Sequence, residues 1–228
     1  MTDLAVSMGV RIRPVSTATT AKNAPPGTAS RILDLAEKLV QQHGFNGFSY
    51  ADIATELDIR KASVHHHFAT KAILGGRLIE RYRQRFALAL VEIESTSDGP
   101  RTALERYVRL YTEALRDNRM CLCGMLAAEI TALARPLRSA LRRFFDENES
   151  WLARMLERGR RAGDFTFNGS AAAQARLVLG ALEGSMLVAR SYGEPARFES
   201  TAGLLLAGLF AGRGRRPRAR ARRPAARH

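Results

Sequence analysis

Cysteine and tryptophan are scarce in this 228-residue chain, which contains two cysteines and one tryptophan. Cys121 and Cys123 are only two positions apart, so they do not form the disulfide framework of a secreted fold, and they suit a reducing compartment. No segment has an apolar run of roughly 18 residues, which excludes an obvious transmembrane helix. Residues 1–20 also lack the apolar stretch of a secretory signal. We therefore expect a cytoplasmic protein with no membrane partner.

Sequence signatures of catalysis are also missing. The chain contains no G-x-S-x-G, H-E-x-x-H or glycine-rich phosphate-binding pattern, so we expect neither an enzyme nor a bound cofactor. His65, His66 and His67 are consecutive, and consecutive side chains of a helix point about 100° apart. These three imidazoles cannot converge on one ion, and we expect no metal site.

Positive charge exceeds negative charge, and the formal net charge is +14. The excess is concentrated in residues 213–228, which contain eight arginines and no acidic residue. Such a tail, which we expect to be disordered, can neutralise phosphates without distinguishing base sequences. A non-specific nucleic-acid-binding protein that acts through this tail is therefore one open alternative. The other is a tail that only reflects compositional bias.

The rest of the chain predicts an all-α fold. Apolar residues recur at helical spacing, and no alternating run is long enough to indicate a strand. Residues 1–27 end in Asn-Ala-Pro-Pro-Gly and show no apolar period, which indicates a flexible arm. We expect a three-helix domain over residues 28–74 and a larger helical domain over residues 75–212. In the larger domain, a sixth helix is predicted at about residues 123–133.

The N-terminal domain contains a pair of short helices with a tight corner between them. Ser49 can cap the first of the pair together with Asp52, and Val64 and Phe68 share one face of the second. Such a pair, here residues 49–68, is a helix-turn-helix, whose second helix can enter a DNA major groove. The three predicted helices of this domain cover residues 29–43, 50–57 and 61–68.

The side of the third helix opposite Val64 and Phe68 carries groups that suit contact with DNA. Its side chains are small, cationic or able to form hydrogen bonds: Lys61, Ala62, Ser63, His65 and His66. The beginnings of the helices at Ser49, Lys61 and Lys71 can also offer backbone N–H groups to phosphates. We therefore expect double-stranded DNA as a partner.

The string IATELDIRKASVHHHFATKAIL resembles the TetR/AcrR family signature IAxxAGVSxGxLYxHFxSKxxLL almost position for position. The resemblance covers roughly residues 28–75, and the helical remainder fits the regulatory domain of that family. It implies a homodimer that binds a palindromic operator, usually as a repressor, and that leaves DNA when a small-molecule effector enters the larger domain. By the same resemblance, Lys61, Ala62, Ser63 and His66 approach base edges, whereas Ser49, Tyr50, His65 and Lys71 contact phosphates.

Three residues depart from the family pattern. Asp58 replaces the usual corner glycine, and aspartate tolerates left-handed backbone better than most residues. Arg60 replaces the usual Ser or Thr cap of the third helix, so it adds a cation at the DNA side and removes a capping hydroxyl. His65 replaces a frequent tyrosine, which would make a phosphate contact dependent on pH.

Cys121 and Cys123 offer an alternative way of sensing. They lie at the start of a predicted helix, where the helix dipole can lower a thiol pKa, and Arg119 adds a nearby cation. A thiol-based redox or electrophile sensor is therefore an alternative to ordinary core packing of these side chains.

Large side chains of the larger domain are candidates for an effector pocket, although such residues at helical spacing more often form core. They are Tyr107, Tyr111, Met125, Phe144, Phe145, Trp151 and Met186.

Three isolated glutamates, each close to an arginine, are interpreted as solvated or ion-paired: Glu129, Glu157 and Glu183.

Small residues at intervals in the last two predicted helices indicate close helix packing, either within one chain or across a dimer interface. The resemblance favours the dimer. These residues are Ala173, Gly180, Ala181, Gly184, Ser185, Ala202, Gly203, Ala207 and Gly208.

Overall fold

A computed structural model describes residues 27–210. Within that range the chain forms nine α-helices and no sheet strand, which confirms the all-α prediction. The predicted arm, apart from Gly27, and the predicted Arg-rich tail lie outside the described residues. The helices are α1 Thr28–His43, α2 Tyr50–Leu57, α3 Lys61–His67, α4 Lys71–Thr96, α5 Pro100–Arg116, α6 Leu122–Ala128, α7 Arg135–Ala162, α8 Ala171–Tyr192 and α9 Pro195–Leu209.

None of the described helices combines the length and the apolar character that crossing a bilayer requires. The ends of α1, α2 and α3 lie within one residue of the predicted ones. The sixth helix, predicted at about residues 123–133, differs. There the chain forms the shorter α6 and then a 3₁₀ turn, Ile130–Ala132. The guanidinium of Arg138 donates hydrogen bonds to the backbone oxygens of Leu133 and Thr131, at 2.8 and 3.0 Å, and so holds this non-helical connection in place.

Helices α1, α2 and α3 form the three-helix N-terminal domain. Each buries one face against the others, and the corner between α2 and α3 passes through Asp58. Asp58 adopts φ 51° and ψ 52°, which is the left-handed conformation that the sequence requires at this corner. The centre of the N-terminal domain is apolar and includes Ile32, Ala36, Val40, Ile53, Val64 and Phe68.

The larger domain has an aromatic core between α5 and α7. The rings of Tyr107 and Trp151 stack with centroids 5.3 Å apart. The hydroxyls of Tyr107 and Tyr111 share a hydrogen bond of 2.9 Å, and the Tyr107 hydroxyl lies 3.3 Å from Oδ1 of Asn148 as well. Asn148 donates in turn to the backbone oxygen of Phe144, at 2.8 Å, so these hydroxyls and this amide are hydrogen-bonded within the core. Nε1 of Trp151 is buried and has no hydrogen-bond partner among the described residues.

Close packing at the end of α7 requires a glycine. A Cβ at position 159 would overlap the ring of Phe165, which is buried. Overpacking of this kind costs about 1–3 kcal/mol, and alanine in a helix recovers at most about 1 kcal/mol over glycine. We therefore expect Gly159→Ala to lower the free energy of unfolding, measured by urea denaturation, by up to about 2 kcal/mol.

Gly76→Ala is the matched control, because a Cβ there would meet only Cδ2 of Leu137 at an ordinary 3.7 Å. We expect this variant to be as stable as the parent or more stable, by up to about 1 kcal/mol. Equal stability of the two variants would contradict the packing at Gly159.

Candidate DNA-binding surface and effector cavity

A capping box fixes the start of α2. The backbone N–H of Ser49 donates to Oδ2 of Asp52 at 2.7 Å, and the Ser49 hydroxyl oxygen accepts from the N–H of Ala51 at 3.2 Å. The backbone hydrogen bond from Ser49 also holds the pKa of Asp52 below its usual value. The cap predicted from the sequence is therefore present, and it places Ser49 at the exposed rim of the helix pair.

Helix α3 is divided into a buried face and an exposed face. Val64 lies on the buried side, with Phe68 directly after the helix. The predicted contact residues lie on the other side: Lys61, Ala62, His65 and His66 are exposed, Ser63 is half-buried, and Arg60 is exposed at the start of the helix. The structure thus brings six predicted residues together on one surface, which we call the α3 surface.

Tyr50 and Lys71 take part in contacts within the N-terminal domain. The Tyr50 hydroxyl donates to the backbone oxygen of Phe68 at 2.8 Å, and its ring lies edge-on to His65 with centroids 4.7 Å apart. The ammonium of Lys71 donates to the backbone oxygen of Phe48 and lies 4.2 Å from the centroid of that ring. Burial lowers the pKa of Lys71. These contacts hold α2, α3 and the start of α4 together, and a phosphate contact from either residue stays a prediction.

Polar groups of the larger domain hold the end of α1 and the loop that follows it. The carboxylate of Glu129 accepts hydrogen bonds from the backbone N–H groups of Phe45 and Asn46, at 2.7 and 3.0 Å. Gly44 leaves room for this carboxylate, because a Cβ at that position would overlap Oε1 of Glu129. Glu129 therefore binds backbone of the DNA-binding domain instead of an arginine, which corrects the interpretation from the sequence.

The last carbonyls of α1 are held from two further elements. Arg190 of α8 donates to the backbone oxygen of Gln41 at 2.9 Å and to that of Gln42. The backbone of Met120, just before α6, donates to the oxygen of Gln41 at 3.2 Å and accepts from its side-chain amide at 2.9 Å. We call the contacts of Glu129, Arg190 and Met120 with α1 and its loop the α1 joint.

A cavity of about 360 Å³ opens between α6, α7 and α8. Its size is within the range of small-molecule sites. The walls are mostly apolar and include Met120, Ala127, Phe145, Leu179 and Leu187, with the charged residues Glu149, Arg176 and Glu183.

Of the large side chains predicted to form an effector pocket, Phe145 is the one that lines this cavity. Tyr107, Tyr111, Phe144, Trp151 and Met186 are buried in the core instead. Met125 is half-buried beside Gly44, next to the α1 joint. The sequence pattern identified the core of the domain and missed the cavity beside it.

Glu183 is the ionisable residue that the sequence interpretation misjudged most. It was expected to be solvated or ion-paired, but its Oε1 atom is buried and has no hydrogen-bond partner among the described residues. Burial raises its pKa to about 7, and a hydrogen bond with the Cys121 thiol acts in the opposite direction. The signal that could have found it is its place between Gly180 and Gly184, where small neighbours leave open space along α8. The third glutamate, Glu157, pairs with Arg160 and Arg161 as expected.

The two cysteines are buried, and their thiols do not have the lowered pKa that the sensor alternative would require. Burial raises the pKa of both thiols well above the usual value, and the nearby Glu183 acts in the same direction on each. Arg119 does not offset this effect, because its guanidinium pairs with Asp117 at 2.6 Å. Desolvation therefore outweighs any helix-dipole stabilisation of a thiolate here.

Two family models match this chain. Residues 32–74 match the family described as bacterial regulatory proteins of the tetR family, and residues 100–204 match the tetracyclin repressor-like C-terminal domain. The chain belongs to the TetR family of transcriptional regulators. It is therefore a DNA-binding regulator of transcription, as the helix-turn-helix pattern predicts.

Relatives and solved structures agree with this family. A TetR-family regulator from Agrobacterium tumefaciens is 34% identical and aligns with a TM-score of 0.78 over 80% of this chain and 97% of that chain. A TetR regulator from Legionella pneumophila is 30% identical, with a TM-score of 0.73 over 80% and 97% of the two chains. The HTH-type transcriptional repressor NemR of Escherichia coli strain K12 is 26% identical over 175 residues, which are 74% of this chain and 87% of NemR. These relatives are transcriptional regulators, not enzymes.

Alkylation of the thiols tests their burial. We expect Cys121 and Cys123 of the folded full-length protein to react with iodoacetamide at neutral pH at least about 100-fold more slowly than in urea, because a buried thiol with a raised pKa carries little thiolate. The rate can be followed by mass spectrometry of the intact protein.

The variant Ser150→Cys provides the control, since position 150 is exposed on α7. Its added thiol should react at the rate of a free cysteine. If Cys121 or Cys123 matched that rate, the thiol-based sensor would be favoured over inert core packing.

Proposed function

We propose that this TetR-family regulator is a repressor that binds a palindromic operator as a homodimer and is released by a small molecule in the cavity between α6, α7 and α8. The observation that carries the proposal is the position of Met120. This residue lines the cavity, and its backbone N–H donates to the backbone oxygen of Gln41 of α1 while its backbone oxygen accepts from the Gln41 side-chain amide. An occupant of the cavity therefore contacts the same residue that holds the DNA-binding domain.

The α3 surface supports direct contact with operator DNA. In this proposal Lys61, Ala62, Ser63 and His66 approach base edges in the major groove, because α3 exposes three of them and half-exposes Ser63. The phosphate contacts come from the edges of the same surface, where cations and backbone N–H groups lie close to the groove walls. They include Ser49, Tyr50, Arg60, His65 and Lys71.

An exposed apolar face on α8 and α9 supports a homodimer. Leu177, Val188 and Leu204 are more than half exposed, which is unusual for side chains of this size unless a partner covers them. Open space surrounds Gly203 and Gly208 of α9, and the open space at Gly180 and Gly184 of α8 is also that of the cavity wall. A second copy of the chain could therefore approach this face closely and form a four-helix interface.

Release from DNA would follow from displacement of α6 and α8. Both helices line the cavity. The α1 joint is held by Met120 and Glu129, which flank α6, and by Arg190 of α8. If an effector pushes these elements apart, α1 moves with them, because several hydrogen bonds tie it to them at once. Two recognition helices that matched successive major grooves would then be out of register.

Binding to an operator selected from a genomic fragment library tests the DNA-binding proposal. We expect Lys61→Ala and His66→Ala to weaken operator binding by about 1–3 kcal/mol, or roughly 5- to 150-fold, because in this proposal each removes a group that faces base edges. Fluorescence anisotropy at fixed salt measures the dissociation constants.

Arg142→Ala is the control for loss of a positive charge, since Arg142 is exposed on α7 in the other domain. It should bind the operator as the parent does. Removal of residues 213–228 should weaken binding to all DNA sequences alike and reduce its salt dependence. If that deletion abolished binding while Lys61→Ala and His66→Ala had no effect, a non-specific protein acting through the tail would replace the proposal.

Charge substitution on the apolar face tests the homodimer. We expect Leu204→Glu to shift the protein to monomer in analytical ultracentrifugation and to weaken operator binding, because the dimer would bury an unpaired carboxylate. Val91→Glu is matched to it, since Val91 of α4 is 65% exposed and Leu204 is 73% exposed. That control should stay dimeric, and a parent protein that sediments as a monomer would overturn this part of the proposal.

A further inference from the structure

The effector cavity contains a carboxyl group with one oxygen that accepts no hydrogen bond from the described residues. Glu183 lies in the wall, and among the described residues nothing donates to its buried Oε1 atom. Most of the surrounding wall is apolar, with Met120, Phe145 and Leu179 as its larger members. A buried acceptor without a donor costs free energy, so this group is poised to gain from a ligand that supplies one.

The neighbouring residues do not supply that donor. The other oxygen, Oε2, packs against Gly124 of α6, where a Cβ would overlap it. The thiol of Cys121 is a weak donor. Arg176 is the cation in the wall, but its guanidinium lies 3.7 Å from the carboxylate of Glu149. Among residues 27–210, no cation pairs with Glu183.

We infer that the effector is an organic cation with an apolar body that packs against Met120, Phe145 and Leu179 and a protonated nitrogen that donates to the carboxylate of Glu183. This inference rests on the proposal that the cavity is the effector site. An anion would meet two carboxylates, Glu149 and Glu183, of which Arg176 offsets only the first. A neutral alcohol could donate to Oε1 but could not compensate the charge of a carboxylate removed from water.

The affinity for such a cation should rise with pH. Because burial raises the pKa of Glu183 to about 7, the group is largely neutral at about pH 6 and largely ionised at about pH 8. A cation binds the ionised form better, so binding strengthens as pH increases through this interval. The other titratable groups near Glu183 all have raised pKa values: the thiols of Cys121 and Cys123 and the hydroxyls of Tyr82, Tyr107 and Tyr111. The charged groups in the wall are Glu149 and Arg176.

Three probes with the same apolar body separate the head groups. Phenylbutylamine, phenylbutanol and phenylbutyrate can be titrated into the full-length protein by isothermal titration calorimetry without DNA. We expect the amine to bind at least about tenfold more tightly than the alcohol, and the acid to bind most weakly. The preference for the amine should shrink between about pH 8 and about pH 6.

Two variants of Glu183 identify the group that the amine contacts. Glu183→Gln keeps the size of the side chain and removes its charge, and Glu183→Met removes its polarity. Each should weaken amine binding at least about tenfold and leave the alcohol within about threefold of the parent. Glu157→Gln is the control, because Glu157 lies outside the cavity wall and carries the same formal charge.

Three outcomes overturn the inference: no binding of the amine, equal affinity for amine and alcohol, or equal behaviour of Glu183→Gln and Glu157→Gln. Operator release is measured separately. If the amine binds through Glu183 and operator binding is unchanged, the cation site stands and the proposed release mechanism fails. If compounds that are insensitive to Glu183 release the operator from this protein, the release mechanism stands and the cation inference fails.

Discussion

The structure depends on the attachment of the C-terminal end of α1 to α8 and to the residue that follows α6. The last carbonyls of α1 and the first N–H groups after it bind the side chains of Arg190 and Glu129, at distances of 2.7–3.0 Å for three of these contacts. The guanidinium of Arg190 binds the negative end of the α1 dipole, and the carboxylate of Glu129 accepts from N–H groups that follow the helix. Each contact therefore joins groups of opposite charge or partial charge. Because backbone atoms are held here, a movement of α6 or α8 in the proposed release mechanism would displace α1 and the α3 surface with it.

The regulatory domain combines a rigid part with a part that is easier to deform. Between α5 and α7, stacked rings and the buried hydroxyls of Tyr107 and Tyr111 form a closed hydrogen-bonded cluster with Asn148. On the other side, α6 has seven residues and is followed by a 3₁₀ turn of three residues. Short elements beside a cavity have fewer contacts to lose when they shift. A response to a ligand is therefore expected to move α6 against a fixed α5 and α7.

Local signals in the sequence were sufficient for the DNA-binding half and insufficient for the regulatory site. The cap at Ser49, the left-handed corner at Asp58 and the spacing of Val64 and Phe68 all act within a few residues, so the helix pair could be predicted. The environment of Glu183 depends on Gly124, which lies 59 positions earlier in the sequence and on a different helix. The α1 joint likewise connects residues that are far apart in sequence, such as Arg190 and Gln41. Whether a carboxylate is solvated, paired or isolated is decided by such distant contacts, and no periodicity encodes them.

The glycine at position 44 has a consequence for domain exchange. Because a side chain there would occupy the space of the Glu129 carboxylate, the N-terminal half is shaped to accept one particular partner surface. Joining residues 28–74 to the effector domain of another family member would preserve the covalent connection through α4 but would not by itself recreate this fit. A functional chimera would also need the side chains that bind α1, Glu129 and Arg190, together with the elements that position them.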